Sequence, residues 1–209
     1  MASTISAGTT SGTAIAIAGD TSGALALQTN NGTTAVTINT AQGVQALNCI
    51  GVGNATPSTS GAGISFPATQ SASSDANTLD DYEEGTWTIT VTTGTSGSVT
   101  ASAKTGAYTK VGRLVTITGY IDFSSVSSPV GYLRLSLPFT SASGASFESA
   151  ASFMVNSVVS ANVADFVGTV NNNAATLDIY LGNASILSAT SANQVQASTS
   201  IRFQASYMV

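Results

Sequence analysis

Two short runs, Leu133-Arg134-Leu135-Ser136-Leu137 and Leu177-Asp178-Ile179-Tyr180-Leu181, return to an aliphatic side chain at every second position. A period of two puts alternate side chains on one face of a strand, whereas a helical face needs a period of about 3.6. One face of each run therefore meets a core, and the other meets solvent or a neighbouring subunit. Five further stretches, residues 86–92, 114–123, 152–156, 163–170 and 200–207, are rich in β-branched and aromatic residues, and Gly, Ser, Asn and Pro clusters separate them. No amphipathic helix of any length interrupts them. This pattern predicts an all-β fold in which residues 76–209 form an antiparallel β-sandwich or jelly-roll head.

The first part of the chain repeats. Ile15 and Ile17, Leu25 and Leu27, Val36 and Ile38, and Leu47 and Cys49 are aliphatic or thiol pairs two residues apart, each following a glycine. Each unit reads as one short strand plus a turn, and Asn30-Asn31-Gly32 supplies positive φ. A unit that cannot close its own core is stabilised by stacking, along the chain or between chains. Residues 1–50 are accordingly expected to form a repetitive stalk, intertwined or prism-like in a homotrimer, with Ile15, Ile17, Leu25, Leu27, Val36 and Ile38 at the shared axis. Only Asp20 is charged before Asp75, so identical chains would not repel one another there. A flexible low-complexity arm is the competing reading. Residues 51–75, with Pro57, Pro67 and Ser/Gly/Ala runs, read as a linker that could dock a short strand at Ile64-Ser65-Phe66.

Charge narrows the partners. Charged residues make up 7% of the chain and the net charge is −5. Lys104, Lys110, Arg113, Arg134 and Arg202 are the only basic side chains, too few for the clustered cations that nucleic acid requires. Solubility must rest on Ser, Thr, Asn and Gln, a surface typical of extracellular β-structures and fibres. The single Cys49 excludes an intrachain disulfide and reads as a small buried residue. No run approaches the length of a membrane span, and the first residues lack the basic and apolar regions of a secretory signal. Neither membrane insertion nor export by that route is expected.

The most specific feature is a pair of blocks, Leu79-Asp80-Asp81-Tyr82-Glu83-Glu84-Gly85-Thr86-Trp87-Thr88 and Thr105-Gly106-Ala107-Tyr108-Thr109-Lys110-Val111-Gly112-Arg113-Leu114-Val115. Together they resemble the signature of small β-rich domains in tailed-bacteriophage fibres and other virion surface proteins. The resemblance runs from about Leu79 to the closing Ser206-Tyr207-Met208-Val209; the proline that often follows Trp-Thr in such domains is Ile89 here. It implies a particle component, and the expected lack of export by a secretory signal fits assembly in a host cytoplasm and release by lysis. It also implies that Asp81, Tyr82, Glu83, Glu84, Gly85, Thr86, Trp87, Tyr108, Lys110 and Gly112 are architectural. The leading functional expectation is a homotrimeric short tail fibre or spike that recognises the host surface and contacts other virion proteins. A capsid decoration or head-fibre trimer that cements the shell is the alternative.

Asp80, Asp81, Glu83 and Glu84 could ligate a hard cation, but the alternating loop pattern with a central Gly is missing. A structural role, with carboxylates accepting backbone N–H bonds and Tyr82 and Trp87 anchored in the core, is the expectation. Asp122, Glu148, Asp165 and Asp178 are the candidates for a paired-carboxyl glycosidase, though no local motif joins them. The chain has no His, which removes Ser-His-Asp and Cys-His catalysis. No enzyme, cofactor or metal is expected. For a host glycan, Tyr120, Tyr132, Tyr180 and Phe147 are candidate platforms, with Asn171, Asn172, Asn173 and Asn183 as amide partners, yet no receptor contact stands out. If the paired aliphatics face a shared axis, the purified chain should have the mass of a trimer by analytical ultracentrifugation, and replacing Leu25 and Leu27 by Asp should dissociate it. A stable monomer at micromolar concentration would remove the shared core.

Overall fold

The computed structural model describes residues 25–29, 33–38, 41, 43–46, 48–70, 73–75, 77–160, 165–182 and 187–209. It divides into two compact units, Met1–Ala68 and Thr69–Val209. Ile15 and Ile17 lie outside the described residues.

In the first unit the repeats become a meander. Strands β1 (Leu25–Thr29), β2 (Thr33–Ile38) and β3 (Val44–Ala46) form an antiparallel sheet in that order. Its register sets Leu25 against Ile38 and Leu27 against Val36, and then Val36 against Ala46 and Ile38 against Val44. The aliphatic positions of the Leu25/Leu27 and Val36/Ile38 repeats thus share one face, as a period of two demands, but β3 meets them with Val44 and Ala46; of the expected Leu47/Cys49 pair, Leu47 lies outside the described residues and Cys49 sits in a separate sheet. Leu27, Ile38 and Val44 are exposed at 47%, 37% and 71%, while Val36 is half-buried. At the boundary of the expected stalk and linker, β4 (Cys49–Gly51) pairs in parallel with β5 (Gly63–Ser65) of the linker, and Cys49 is a half-buried free thiol.

The larger unit holds β6 (Tyr82–Thr88), β7 (Val91–Thr93), β8 (Ser96–Val111), β9 (Leu114–Val130), β10 (Leu133–Ser136), β11 (Ser149–Asn156), β12 (Asp165–Val170), β13 (Thr176–Gly182), β14 (Leu187–Ser188) and β15 (Ser200–Met208). They make one ten-stranded sheet in the order β6-β8-β9-β15-β11-β12-β13-β10-β7, with β14 on β13. Every pair in it is antiparallel. The two alternating runs behave as their pattern requires: Leu133, Leu135, Leu177 and Ile179 are fully buried. They join Ile89, Val115, Ile117, Ile121, Phe123, Ile201 and Phe203 in a single core.

Two expectations about strands change. Residues 86–92 are not one strand, because the chain switches partners at Ile89. The Ile89 N–H donates to Lys104 O on β8 at 3.0 Å, and one residue later Thr90 O accepts from Ser136 N on β10 at 2.9 Å. β6 and β7 are therefore consecutive segments that pair with opposite ends of the strand order, and the sheet must curl to bring those ends to one chain. A sheet drawn as two separate leaves is replaced by one curled, continuous antiparallel sheet around the core. The second change is β8, a strand of 16 residues that the sequence reading passed over. Its Ser, Ala, Gly and Lys residues dilute the β-branched and aromatic enrichment of a strand signal. Its partners impose it: β8 pairs along nearly its whole length with β9 through a two-residue turn at Gly112-Arg113, where Gly112 has φ 56°.

Tyr207, on β15, closes the core. Its hydroxyl donates to Phe139 O at 3.2 Å and accepts the Phe139 N–H at 3.3 Å, and its side chain is 2% exposed. Burial pushes the phenol from 10 up to about 12, partly offset by the backbone hydrogen bond to Phe139. The stabilisation this represents is complete below the unfolded-chain pKa of 10 and is lost as pH rises from there through about 12. Urea unfolding between pH 9 and 12 should therefore show a falling midpoint whose slope is reduced in Tyr207→Phe; identical slopes would remove Tyr207 as the group responsible.

Candidate functional site

The two sequence blocks meet as neighbouring strands. In β6 and β8 the register sets Glu83 against Lys110, Gly85 against Tyr108 and Trp87 against Gly106. Each strand thus offers a glycine opposite the other strand's aromatic ring. A Cβ at Gly106 would come within 2.3 Å of the Trp87 indole, and one at Gly85 within 2.5 Å of the Tyr108 hydroxyl. Both rings lie flat across the neighbouring backbone, and only glycine leaves the room. Trp87 Nε1 donates to Ser136 O at 3.1 Å, and Tyr108 meets Phe139 edge-on at 5.0 Å. Burial, then the Glu83 charge, raises the Tyr108 phenol pKa. The row continues beyond Gly106 through Gly119 to Phe203, whose ring covers Gly119, and on to Phe153.

At the outer end of the same corner Asp81 and Lys110 form a buried ion pair, 4% and 6% exposed. Lys110 Nζ also donates to Gln70 Oε1 at 3.3 Å and sits 5.5 Å from the Phe139 ring centre. The Gly112 N–H donates to Asp81 O at 2.9 Å, tying the hairpin turn to the start of β6. Breaking a buried pair of this kind typically costs about 3–5 kcal/mol, because the surviving charge is left without a partner.

Alternation along β6 disperses the acidic cluster. Asp81 turns inward to Lys110, Glu84 turns outward and accepts from the Tyr82 hydroxyl, and Asp80 accepts the Ser73 N–H at 2.7 Å. Among the described residues no three His, Cys, Asp or Glu side chains come together to hold a metal ion. Tyr82, expected in the core, is 44% exposed on the outer face beside outward-facing Thr86. Adjacent carboxylates on a strand point to opposite sides. The same rule puts Tyr82, Glu84 and Thr86 on one face and Asp81, Glu83, Gly85 and Trp87 on the other.

The glycosidase candidates are similarly occupied or apart. Asp178 receives both Nε and Nη2 of Arg134, at 2.6 and 2.8 Å, and is 3% exposed. Asp122 accepts the Ser102 hydroxyl at 3.1 Å, whereas Glu148 and Asp165 are exposed on other elements. The candidate platforms carry cations: Arg202 over Tyr120 at 4.8 Å, Arg134 over Tyr132 at 5.2 Å and Arg113 over Phe147 at 5.5 Å. Tyr132 and Tyr180 lie 5.7 Å apart. Asn171 donates to Thr176 Oγ1 at 2.9 Å across its own turn, and Asn172 accepts the Gly144 N–H at 2.7 Å, tying that turn to the segment before Ala145. Asn173 takes φ 50° in the same loop, and Asn183 lies outside the described residues.

A concavity of about 670 Å³ opens on the outer face of β8, β9, β15 and β11. Two rows of outward side chains flank it. Register places Thr105, Tyr120, Arg202 and Met154 in one row, and Ala107, Thr118, Gln204 and Ser152 in the next. Between them the Gly106-Gly119 row turns inward and leaves a trough. Sequence reasoning singled out Tyr120 but missed the trough, since it is assembled from four strands distant in sequence; the only local signal was the outward position of Arg202 within an alternating run.

No protein-family model and no curated protein matches the chain. Among solved structures, the chain is similar to the Dettilon tailspike protein (gp208), with a TM-score of 0.51 and 20% sequence identity. The match covers 61% of this chain and 24% of that one, so the likeness is of fold over a part of a larger protein.

Trp87→Ala should lower stability of the larger unit by about 3 kcal/mol, measured by urea unfolding, since it removes both the ring over Gly106 and the bond to Ser136. Adding EDTA should leave the melting temperature unchanged. A fall in melting temperature with chelator would restore the cation reading of the acidic run.

Proposed function

We propose that this chain is a non-enzymatic bacteriophage virion surface protein, a homotrimeric short tail fibre or spike that recognises the host cell surface. The observation that carries the proposal is the coincidence of two likenesses: the signature blocks at 79–88 and 105–115, which form one packed corner, and the likeness in fold to a tailspike over 61% of the chain. That corner holds the strands together with a buried ion pair, aromatic rings and glycines, an arrangement that serves rigidity and not turnover. Loops and faces on a rigid β-scaffold are where recognition usually sits. In this reading residues 1–50 form the stalk that attaches the protein to the particle, 51–75 link, and 76–209 form a head built on one curled sheet that faces outward, localising the protein to the virion.

The test compares particles with and without the chain. Particles lacking it should adsorb poorly to susceptible cells, and a truncated chain of residues 76–209, trimerised to restore avidity, should compete with infection. Normal adsorption by depleted particles that instead lose resistance to heat or osmotic shock would overturn the fibre assignment in favour of a shell-cementing protein.

A further inference from the structure

The trough across β8, β9, β15 and β11 is the one concavity described above to which the packing of the fold assigns no occupant. Its volume of about 670 Å³ falls within the range of about 300–1,000 Å³ usual for ligand sites. Its charged lining residue is Arg202. The guanidinium lies 4.8 Å from the centre of the half-buried Tyr120 ring, which holds it over the outer face. The contrast with Arg134 is informative. Arg134 also lies over a tyrosine, but its fork is closed by the buried Asp178 carboxylate. Among the described residues the ion pairs are Lys110–Asp81 and Arg134–Asp178, and Arg202 belongs to neither. An arginine oriented by a ring, without a counter-ion and on a chain of net charge −5, presents its donor fork outward to an anion.

The neighbours of Arg202 define what carries that anion. Thr105, Thr118, Ser152 and Gln204 supply neutral hydroxyl and amide groups able both to donate and to accept. Met154, 51% exposed, adds an apolar patch beside Arg202. A polyhydroxylated ligand with an apolar face and a carboxylate satisfies all three features. A polyphosphate would need several cations, and the lining offers one. We propose that this trough binds an acidic saccharide, with a uronate carboxylate on Arg202, a pyranose C–H face on Met154, and ring hydroxyls on the threonine, serine and glutamine side chains. The proposal rests on the host-recognition reading and names the site that performs it.

The experiment uses the full chain on an array of galacturonate, glucuronate and mannuronate oligosaccharides with neutral dextran oligosaccharides as control. Binding to at least one uronate and not to dextran is expected, weakening as salt is raised. Arg202→Gln should weaken it by about tenfold or more, and Thr118→Trp, which fills the trough from an exposed position, should abolish it while the melting temperature stays the same. No uronate binding, or binding indifferent to both variants, overturns the assignment. Cell adsorption separates the two levels: variants that adsorb like the parent would remove the site while leaving host recognition intact, and a parent chain that binds no susceptible cells would remove host recognition itself.

Discussion

At Ile89 the chain leaves β8 and joins β10 within a single residue step, and the remainder of the larger unit follows from that exchange. Strands at the two ends of a ten-member order become one continuous stretch of backbone, so the sheet has to bend until its ends share a chain. The bend encloses the core to which Leu133, Leu135, Leu177 and Ile179 contribute from one side and Val115, Ile117, Ile201 and Phe203 from the other. Isoleucine is apt at this position. It keeps the N–H that bonds Lys104 O, a donor proline lacks, and it places a fully buried side chain between the two halves.

The signature blocks make physical sense beside this hinge. Gly-x-Trp on β6 and Gly-x-Tyr on β8 are complementary when run antiparallel, because each aromatic finds a glycine across from it. A shift of one residue would set Trp87 against Ala107 or Thr105 and turn every side chain to the wrong face. The buried Asp81–Lys110 pair adds a second restriction on register, since any slip would strand a charge away from water. Trp87 reaches Ser136 O on β10, so the same residue that fixes β6 on β8 also fastens the far end of the sheet.

What the sequence made legible, and what it hid, divides along the range of the signal. The all-β class and the strands with strict alternation were readable because a period of two is local: β13 and β15 fall within a residue or two of expectation. The importance of Trp87, Tyr108 and Lys110 was readable only through resemblance, and their mutual geometry was not, since it depends on the β6/β8 register. β8 was hidden because its Gly106, Ala103 and Ala107 leave room for neighbours and carry little strand propensity of their own. Tyr82 was misjudged for a simple reason: it is five residues from Trp87, an odd separation that sends the two to opposite faces.

The position of β6 at the end of the strand order has one more consequence. A terminal strand presents unpaired backbone groups, a template on which the strand of another molecule could build, and a chain with only 7% charged residues has little general repulsion to prevent it. Glu83 and Glu84 on that strand, with Asp80 just before it, concentrate scarce negative charge on the open margin. Charge placed on an edge strand in this way disfavours the addition of a strand from another molecule, so the acidic run works against edge-to-edge pairing as well as fixing the register inside the fold.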